Sequence, residues 1–167
     1  MRNADGWQAI LAAPFGRLGV RVADGAVTRI GFLAPDGPLQ AAEAAAAAAV
    51  GRLEQALAAY WLDSRAGFAG VPVRAQGTDY QQRVWQAIAT IGPGQTRTYG
   101  ELAARLGSSP RALGQACGSN PLPLVVPCHR VVSRSGMGGF MHSRGDEALG
   151  YKNWLLAHER SCEHPFA

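Results

Sequence analysis

The sequence of 167 residues lacks the features that define several classes of protein. No apolar run approaches the roughly 20 residues that a transmembrane helix needs, so we expect a soluble protein with no membrane partner. The first residues, Met1–Trp7, contain one Arg and lead into no signal-peptide core, so we expect a cytoplasmic protein. Charged residues make up only 17% of the chain and hydrophobic residues 47%, which is typical of a globular domain rather than a disordered segment.

Cysteine is also scarce. The three cysteines, Cys117, Cys128 and Cys162, are odd in number and have no paired spacing, which argues against a disulfide framework or a zinc knuckle. Cys162 and His164 are two potential metal ligands near the C-terminus, but no further ligand accompanies them, so we expect a frayed tail. The sequence therefore predicts no metal site, and a free thiol in a reducing compartment can be kept for its chemistry.

Acidic residues are nearly absent from the middle of the chain. Residues 80–145 contain one acidic residue, Glu101, against seven arginines: Arg83, Arg97, Arg105, Arg111, Arg130, Arg134 and Arg144. Residues 1–76 are nearly neutral, with seven arginines and six acidic residues. A basic block on a near-neutral frame is typical of a protein that binds a polyanion. A solvated basic face is the alternative, and charge alone does not exclude it.

The N-terminal part reads as a small α/β scaffold. Two apolar runs flank Asp24-Gly25, a pair that favours the tight turn of a β-hairpin. Residues 39–62 are rich in helix formers and predict a helix that Gly51 could divide, with an apolar stripe formed by Leu53, Leu57, Tyr60 and Trp61. Gly and Pro residues between 67 and 77 mark a connection. We place a scaffold domain at residues 1–75 and a second domain at residues 76–167.

The second domain is predicted to be mostly helical, which makes the fold class α+β. Thr78 is a good N-cap for a helix whose apolar face comprises Tyr80, Val84, Trp85, Ile88 and Ile91. A helix over about 99–106 stops at Gly107, and Pro110 suits the first turn of the next helix. Two helices joined by a tight turn, with Arg111 at the start of the second, predict a winged-helix-like helix-turn-helix. Asp146 or Glu147 opens the last helix.

The stretch from Leu122 to Val132 carries the strongest chemical signal. Its apolar runs enclose Cys128, His129 and Arg130, three groups whose unpaired burial would cost several kcal/mol. Pro127 cannot donate to a β-ladder, so it interrupts a predicted strand and presents the thiol at a turn. A small buried cysteine beside an incidental histidine is the alternative, which this stretch alone leaves open.

Several ordered motifs carry a resemblance to a known family. They are Gly77-Thr-x-Tyr-Gln81, Val84-Trp-x-Ala-Ile88, Gly94-x-Thr96, Thr98-Tyr99, Leu102-Ala103, Asn120-Pro121, Pro127-Cys-His-Arg-Val131 and Leu155-Leu-x-x-Glu159. Over residues 77–159 the chain resembles the O6-alkylguanine-DNA alkyltransferases. The resemblance implies a suicide methyltransferase that moves an alkyl group irreversibly from O6-alkylguanine, or from O4-alkylthymine, to its own cysteine. It implies a monomer that acts on double-stranded DNA without a cofactor.

The resemblance also assigns roles to single residues. Cys128 is the acceptor, and a relay from Glu159 through His129 and a water molecule activates it, while Asn120 braces the active-site turn. Tyr99 acts at the phosphate of the target nucleotide, and Arg111 fills the gap left by the flipped base. The DNA-binding and base-flipping set comprises Tyr99, Arg111, Ala112 and Gln115. The substrate pocket comprises Tyr99, Val131, Phe140 and Met141. Arg130 is expected to form a structural ion pair or hydrogen bonds.

Two departures from the family pattern bear on the function. The turn before Arg111 is about two residues shorter than in typical members, and Gly139-Phe-Met-His-Ser143 replaces the usual Gly-Tyr-x-Gly-Gly. A less open pocket, a changed alkyl range or weaker activity could follow. Two rival functions remain: an alkyltransferase-like protein that binds damaged DNA with weak or no transfer, and a cysteine hydrolase that uses Cys128 and His129. The first rival lacks the cysteine that this chain has, and the second needs an oxyanion site that is not evident.

Overall fold

The computed structural model describes residues 5–163, and the chain divides into two compact units at residues 1–76 and 77–167. The first unit combines a sheet with one long helix, and the second is mostly helical, so the predicted α+β class is confirmed. Cys162 lies within the last helix rather than in a frayed tail, whereas His164 lies outside the described residues. No helix within 5–163 is both long enough and apolar enough to cross a bilayer.

The first unit is built on a three-stranded antiparallel sheet in the order β1-β2-β3. The strands are β1 (Ala9–Ala13), β2 (Gly16–Ala23) and β3 (Ala26–Leu33). Asp24 and Gly25 join β2 to β3 with φ angles of 49° and 76°, the left-handed pair that a type I′ turn requires. The hairpin predicted from Asp24-Gly25 is therefore confirmed.

The helix of this unit, α1 (Ala47–Leu62), follows one turn of 3-10 helix and begins later than predicted. Residues 39–43 are not helical, because Gln40 exchanges backbone hydrogen bonds with Ile10 in β1. Gly51 does not interrupt α1. Leu53, Leu57 and Tyr60 are buried, as the apolar stripe predicts, whereas Trp61 is half-buried.

Over its described residues, 77–163, the second unit contains four α-helices and a short parallel strand pair. They are α2 (Asp79–Ala89), β4 (Arg97–Thr98), α3 (Tyr99–Arg105), α4 (Pro110–Gly118), β5 (Val131–Val132) and α5 (Asp146–Glu163). Side chains that suit the role cap three helix starts: Thr78 and Thr98 form capping boxes, and Ser109 accepts from the backbone N–H of Ala112. A four-residue turn, 106–109, separates α3 from α4.

The core of this unit lies where α2 packs on α4. Val84, Ile88 and Leu113 are buried there, and the indole N–H of Trp85 donates to the carbonyl of Ala116 over 2.9 Å. This bond ties α2 to the backbone of α4 near the C-terminal end of α4. The following segment, which carries Asn120 and Cys128, therefore starts from a fixed point.

Candidate active site

Asn120 organises the chain just before the thiol. Its side-chain oxygen accepts from the backbone N–H of Leu122 over 2.9 Å, and its amide donates to the carbonyl of Val126, also over 2.9 Å. These bonds replace strand partners, so residues 122–126 form a turn with Leu124 at a φ of 78°. The strand predicted for this run is therefore wrong, because side-chain hydrogen bonds satisfy its backbone locally.

Pro127 then turns the backbone again. Its φ of −79° and ψ of 64°, with the Cys128 N–H donating to the Val126 carbonyl over 2.8 Å, describe an inverse γ-turn. Residues Cys128–Arg130 follow as one turn of 3-10 helix, which leads into β5. The prediction that Pro127 presents the thiol at a turn is confirmed, and Cys128 is 5% exposed there.

The two residues that follow the thiol in the chain belong to a buried ionic network. His129 Nε2 is 2.7 Å from Glu159 Oε1, and the Arg130 guanidinium donates to both oxygens of the same carboxylate at 2.8–3.2 Å. The remaining guanidinium nitrogen of Arg130, Nη1, donates to the Ile91 carbonyl over 2.6 Å, and the Gly94 N–H donates to Glu159 Oε2 over 3.2 Å. His129 and Arg130 thus meet the carboxylate of Glu159, about 30 residues further along the chain. The structural ion pair expected for Arg130 is present.

The network sets the charge of each member. Burial alone would raise the pKa of Glu159, but hydrogen bonds from His129 and Arg130 hold it well below its usual range. Burial lowers the pKa of His129, and this outweighs the opposite effect of Glu159. At neutral pH the carboxylate is therefore charged and the imidazole is neutral.

A neutral imidazole has one N–H and one lone pair. Because a carboxylate only accepts, the Nε2–H of His129 donates to Glu159, and the lone pair is on Nδ1. His129 Nδ1 is buried and makes no hydrogen bond to any of residues 5–163. The network therefore points a proton acceptor away from Glu159.

The thiol itself is hard to ionise in this setting. Burial raises the pKa of Cys128 to about 11, although the Asn120 side chain and the Lys152 cation lower it. Burial also raises the pKa of Cys117, on α4, to about 12. Both thiols are therefore protonated at pH 7 unless a base removes the proton.

Lys152 is a residue that the sequence reasoning missed. It is the only lysine of the chain, it is fully buried on α5, and its ammonium donates to the backbone carbonyls of Val131, Met137 and Gly139 at 2.6–2.9 Å. Burial lowers its pKa to about 8. The sequence feature that could have identified Lys152 is that it is a single lysine two positions before Trp154, the first of the apolar residues Trp154, Leu155 and Leu156 of α5. The cation ties the loop after Cys128 to α5 and favours the thiolate.

Lys152→Met should reduce the fraction of Cys128 thiolate near neutral pH, because it removes a cation that is still charged there while keeping a long unbranched side chain. The rate of Cys128 alkylation by iodoacetamide, followed from about pH 6 to about pH 8, reports this fraction. Arg160→Met removes a solvent-exposed cation from the same helix and should leave the profile in place. A profile unchanged in Lys152→Met would contradict the electrostatic role.

Cys128 opens into a cavity of about 740 Å³. Five of the residues assigned to the DNA and substrate sites line it: Tyr99, Arg111, Gln115, Phe140 and Met141. Two others do not. Val131 is fully buried in β5, and the backbone N–H of Ala112 serves the Ser109 cap at the start of α4. Cys117, Gly118 and His142 also line the cavity, and the sequence reasoning had given them no site role.

Comparison with known proteins bears directly on this arrangement. The profile described as "6-O-methylguanine DNA methyltransferase, DNA binding domain" matches residues 79–161. The crystal structure of the O6-methylguanine methyltransferase of Mycobacterium tuberculosis is 32% identical, with 91% of both chains covered and a TM-score of 0.68. The chain belongs to the O6-methylguanine-DNA methyltransferase family. The family predicted from the Pro-Cys-His-Arg signature is therefore confirmed.

Other members of the methyltransferase family agree with this assignment. The Mycobacterium tuberculosis protein in complex with DNA is 31% identical, with 92% of both chains covered and a TM-score of 0.73. The methylated-DNA–protein-cysteine methyltransferase of Salmonella typhimurium is 41% identical over 112 residues. That match covers 65% of this chain and 63% of the Salmonella protein, so the chain spans less than two thirds of this curated relative.

Across residues 5–163, no group of three or more His, Cys, Asp or Glu side chains is arranged to hold a metal ion. The three cysteines described are all free thiols.

Proposed function

We propose that this methyltransferase-family protein repairs O6-alkylguanine in double-stranded DNA by transferring the alkyl group irreversibly to Cys128. The observation that carries the proposal is that a cavity-lining thiol is followed directly in the chain by a neutral buried imidazole, which is hydrogen-bonded to a charged carboxylate. This is the nucleophile, base and orienting group that covalent catalysis requires. The protein is consumed after one transfer, because a thioether has no route back to a thiol here.

In the proposed reaction a water molecule carries the Cys128 proton to His129 Nδ1, and Glu159 stabilises the imidazolium that forms. The sulfur attacks the alkyl carbon, an S–C bond forms, and the C–O bond to guanine O6 breaks with both electrons going to the oxygen. The guanine anion then takes up a proton, so the net change is an alkyl group exchanged for the thiol proton. No oxidant or cofactor enters this balance.

Tyr99 suits a donor role beside the base. Burial raises the pKa of its phenol to about 12, so it stays protonated at neutral pH. Its hydroxyl donates to the Gly139 carbonyl over 3.3 Å, a long bond that a substrate atom can replace. We propose that Tyr99 contacts the target nucleotide as that nucleotide enters the cavity.

DNA recognition is proposed to use α4 and the basic block. Arg111 and Arg144 both line the cavity that holds Cys128, so two guanidinium groups are available for phosphates or for the gap in the duplex. The O6 atom of a stacked guanine cannot reach a thiol in a cavity, so the base must leave the stack. Phosphate contacts make such binding salt-dependent and only weakly sequence-selective.

The test is a stoichiometric transfer assay. The full chain is incubated with a duplex that carries one O6-methylguanine, and intact mass and peptide mapping follow the methyl group. We expect a gain of one methyl on Cys128 that saturates at one per protein. Tight binding of the damaged duplex without methylation would instead support the damage-binding alternative. Multiple turnovers on an acyl substrate would support the hydrolase.

Arg111→Ala should slow transfer from duplex DNA by about 10-fold or more, because unstacking a base costs a few kcal/mol and the arginine would no longer fill the gap. Arg111 is exposed, so the melting temperature should change little. Transfer from free O6-methylguanine base needs no flipping and should be far less affected. Arg134→Ala, an exposed arginine of the same block outside the cavity, is the matched control. Equal losses in both variants would argue for a general charge effect.

A further inference from the structure

A strained turn whose two central residues are not glycine lies beside the thiol. The backbone groups of Phe140 and Ser143 exchange two hydrogen bonds, of 2.8 and 2.9 Å, which closes a turn with Met141 and His142 at its centre. Both central residues are left-handed, with φ angles of 51° and 62°. Tight turns of this kind favour Asn, Asp or Gly at these positions. Non-glycine residues held in a left-handed pair therefore point to a role for their side chains.

His142 docks the turn onto the C-terminal end of α4. Its ring lies against Gly118 so closely that a Cβ at that position would sit 2.4 Å from His142 Nδ1. Its Nε2 lies 3.1 Å from the Ser119 hydroxyl oxygen. That hydroxyl donates its only proton to the Gln115 carbonyl over 3.0 Å, so His142 Nε2–H is the donor to Ser119. The ring therefore requires glycine at 118 and resists displacement of the turn.

Met141 is placed by this docking directly beside the nucleophile. Its Sδ lies 3.9 Å from Cys128 Sγ, and both side chains line the same cavity. In an in-line displacement the sulfur, the alkyl carbon and guanine O6 lie on one line, with the sulfur about 3–3.5 Å from the carbon at the start. The remaining substituents of that carbon extend sideways from this line. A methyl group has only hydrogens there, whereas a benzyl group brings a ring.

We propose, on the basis of the transfer function above, that Met141 is a specificity-determining residue that favours O6-methylguanine over O6-alkylguanines with bulky groups. The thioether occupies part of the lateral space beside the thiol. The contact of His142 with Gly118 and Ser119 stops the turn from moving aside. The alkyl range is thus decided by the loop between β5 and α5 together with the last turn of α4.

The experiment compares transfer rates from two matched duplexes, one with O6-methylguanine and one with O6-benzylguanine. Met141→Ala should raise the ratio of benzyl to methyl rates by about 10-fold or more, the scale on which apolar pockets discriminate by size. Met141→Gly removes the same side chain and suits the left-handed backbone, so it covers the case in which alanine distorts the turn. Met137→Ala removes the same side-chain type from the same loop, outside the cavity, and should leave the ratio unchanged.

Gly118→Ala tests the contact between His142 and α4 without substituting any residue of the turn. The added Cβ should push His142 away, release Met141 and raise the benzyl-to-methyl ratio in the same direction. A ratio unchanged in Met141→Ala, Met141→Gly and Gly118→Ala, with methyl transfer still measurable, would overturn the inference.

A second readout does not depend on the transfer reaction. Alkylation of Cys128 by iodoacetamide and by the bulkier N-phenylmaleimide is followed by peptide mapping in the same variants. Met141→Ala should increase the rate of Cys128 alkylation by N-phenylmaleimide more than the rate of alkylation by iodoacetamide. Met137→Ala should not change the ratio of the two rates. If no protein transfers methyl groups but this selectivity changes as expected, the proposed function fails while the steric role of Met141 stands. If methyl transfer is normal and neither selectivity changes, the steric role fails alone.

Discussion

Cys128→Ala is expected to abolish methyl transfer from O6-methylguanine in a duplex while binding to that duplex persists. The reason is that Cys128 lines the cavity and is followed directly in the chain by His129, which is paired with Glu159. Cys117 lines the same cavity, but burial and the neighbouring Cys128 raise its pKa to about 12. Intact mass, peptide mapping and a gel-shift assay with the same duplex measure both parts of the expectation.

Cys162→Ala is the matched control for this substitution. It removes a free thiol from α5 outside the cavity and should keep one methyl per protein, mapped to Cys128. A methyl group found on Cys117 in the Cys128→Ala protein would show that the cavity, rather than the relay, selects the acceptor. The assignment of the nucleophile would then have to be revised.

Glu159→Gln should destabilise the protein by about 3–5 kcal/mol, the loss typical of removing one partner of a buried ion pair. The buried Arg130 cation would lose its carboxylate, and His129 would lose the group that orients its ring. Transfer should therefore also slow sharply, even at temperatures at which the variant is folded. Urea unfolding at pH 7 measures the first effect, and single-turnover transfer at low temperature measures the second.

Glu147→Gln offers the control on the same helix. Its carboxylate is solvent-exposed and accepts only from the Tyr151 hydroxyl among the hydrogen bonds described, so the change should stay within about 0.5 kcal/mol. Equal free energies of unfolding for the Glu159→Gln and wild-type proteins would contradict the stabilising role of this carboxylate. If the Glu159→Gln protein is folded and transfers methyl groups at the wild-type rate, Glu159 is not part of the relay.

The same network predicts how stability depends on pH. The pKa of Glu159 is lower in the folded protein than in the unfolded chain, so its contribution is complete above its ordinary value and decreases as the pH falls below it. The pKa of His129 is also lowered on folding, so below its ordinary value the unfolded chain binds the extra proton. Both effects have the same sign. Wild-type stability should therefore fall on acidification from about pH 6.5 downwards, and Glu159→Gln should flatten the more acidic part.

The local signals of the sequence were sufficient for the family, the α+β class and most element boundaries. Thr78 and Pro110 mark helix starts, and Asp24-Gly25 marks the hairpin, because each residue type meets a backbone requirement that involves only its neighbours. The Pro-Cys-His-Arg signature and Glu159 could be singled out for the same reason, since their order along the chain is itself the pattern. Their catalytic roles remain predictions.

Two misplaced elements show where local signals fail. The helix predicted from residue 39 begins at Ala47, because Gln40 pairs with Ile10, 30 residues away in the chain. The apolar run 122–126 has the composition of a strand, yet the Asn120 side chain satisfies its backbone and makes it a turn. In both cases, hydrogen bonds to a residue outside the segment override the helix or strand preference of the residues within it.

By itself, the sequence determined which groups are available: one thiol in a family signature, a histidine and an arginine beside it, a distant glutamate and a basic block. Only the tertiary structure decided how they meet. It placed one carboxylate between His129 and Arg130, buried the single lysine against three carbonyls, and set Met141 beside the thiol by packing His142 on Gly118. The physical reason is that burial, shared hydrogen bonds and steric fit depend on distances between residues far apart in the chain, which no local pattern encodes.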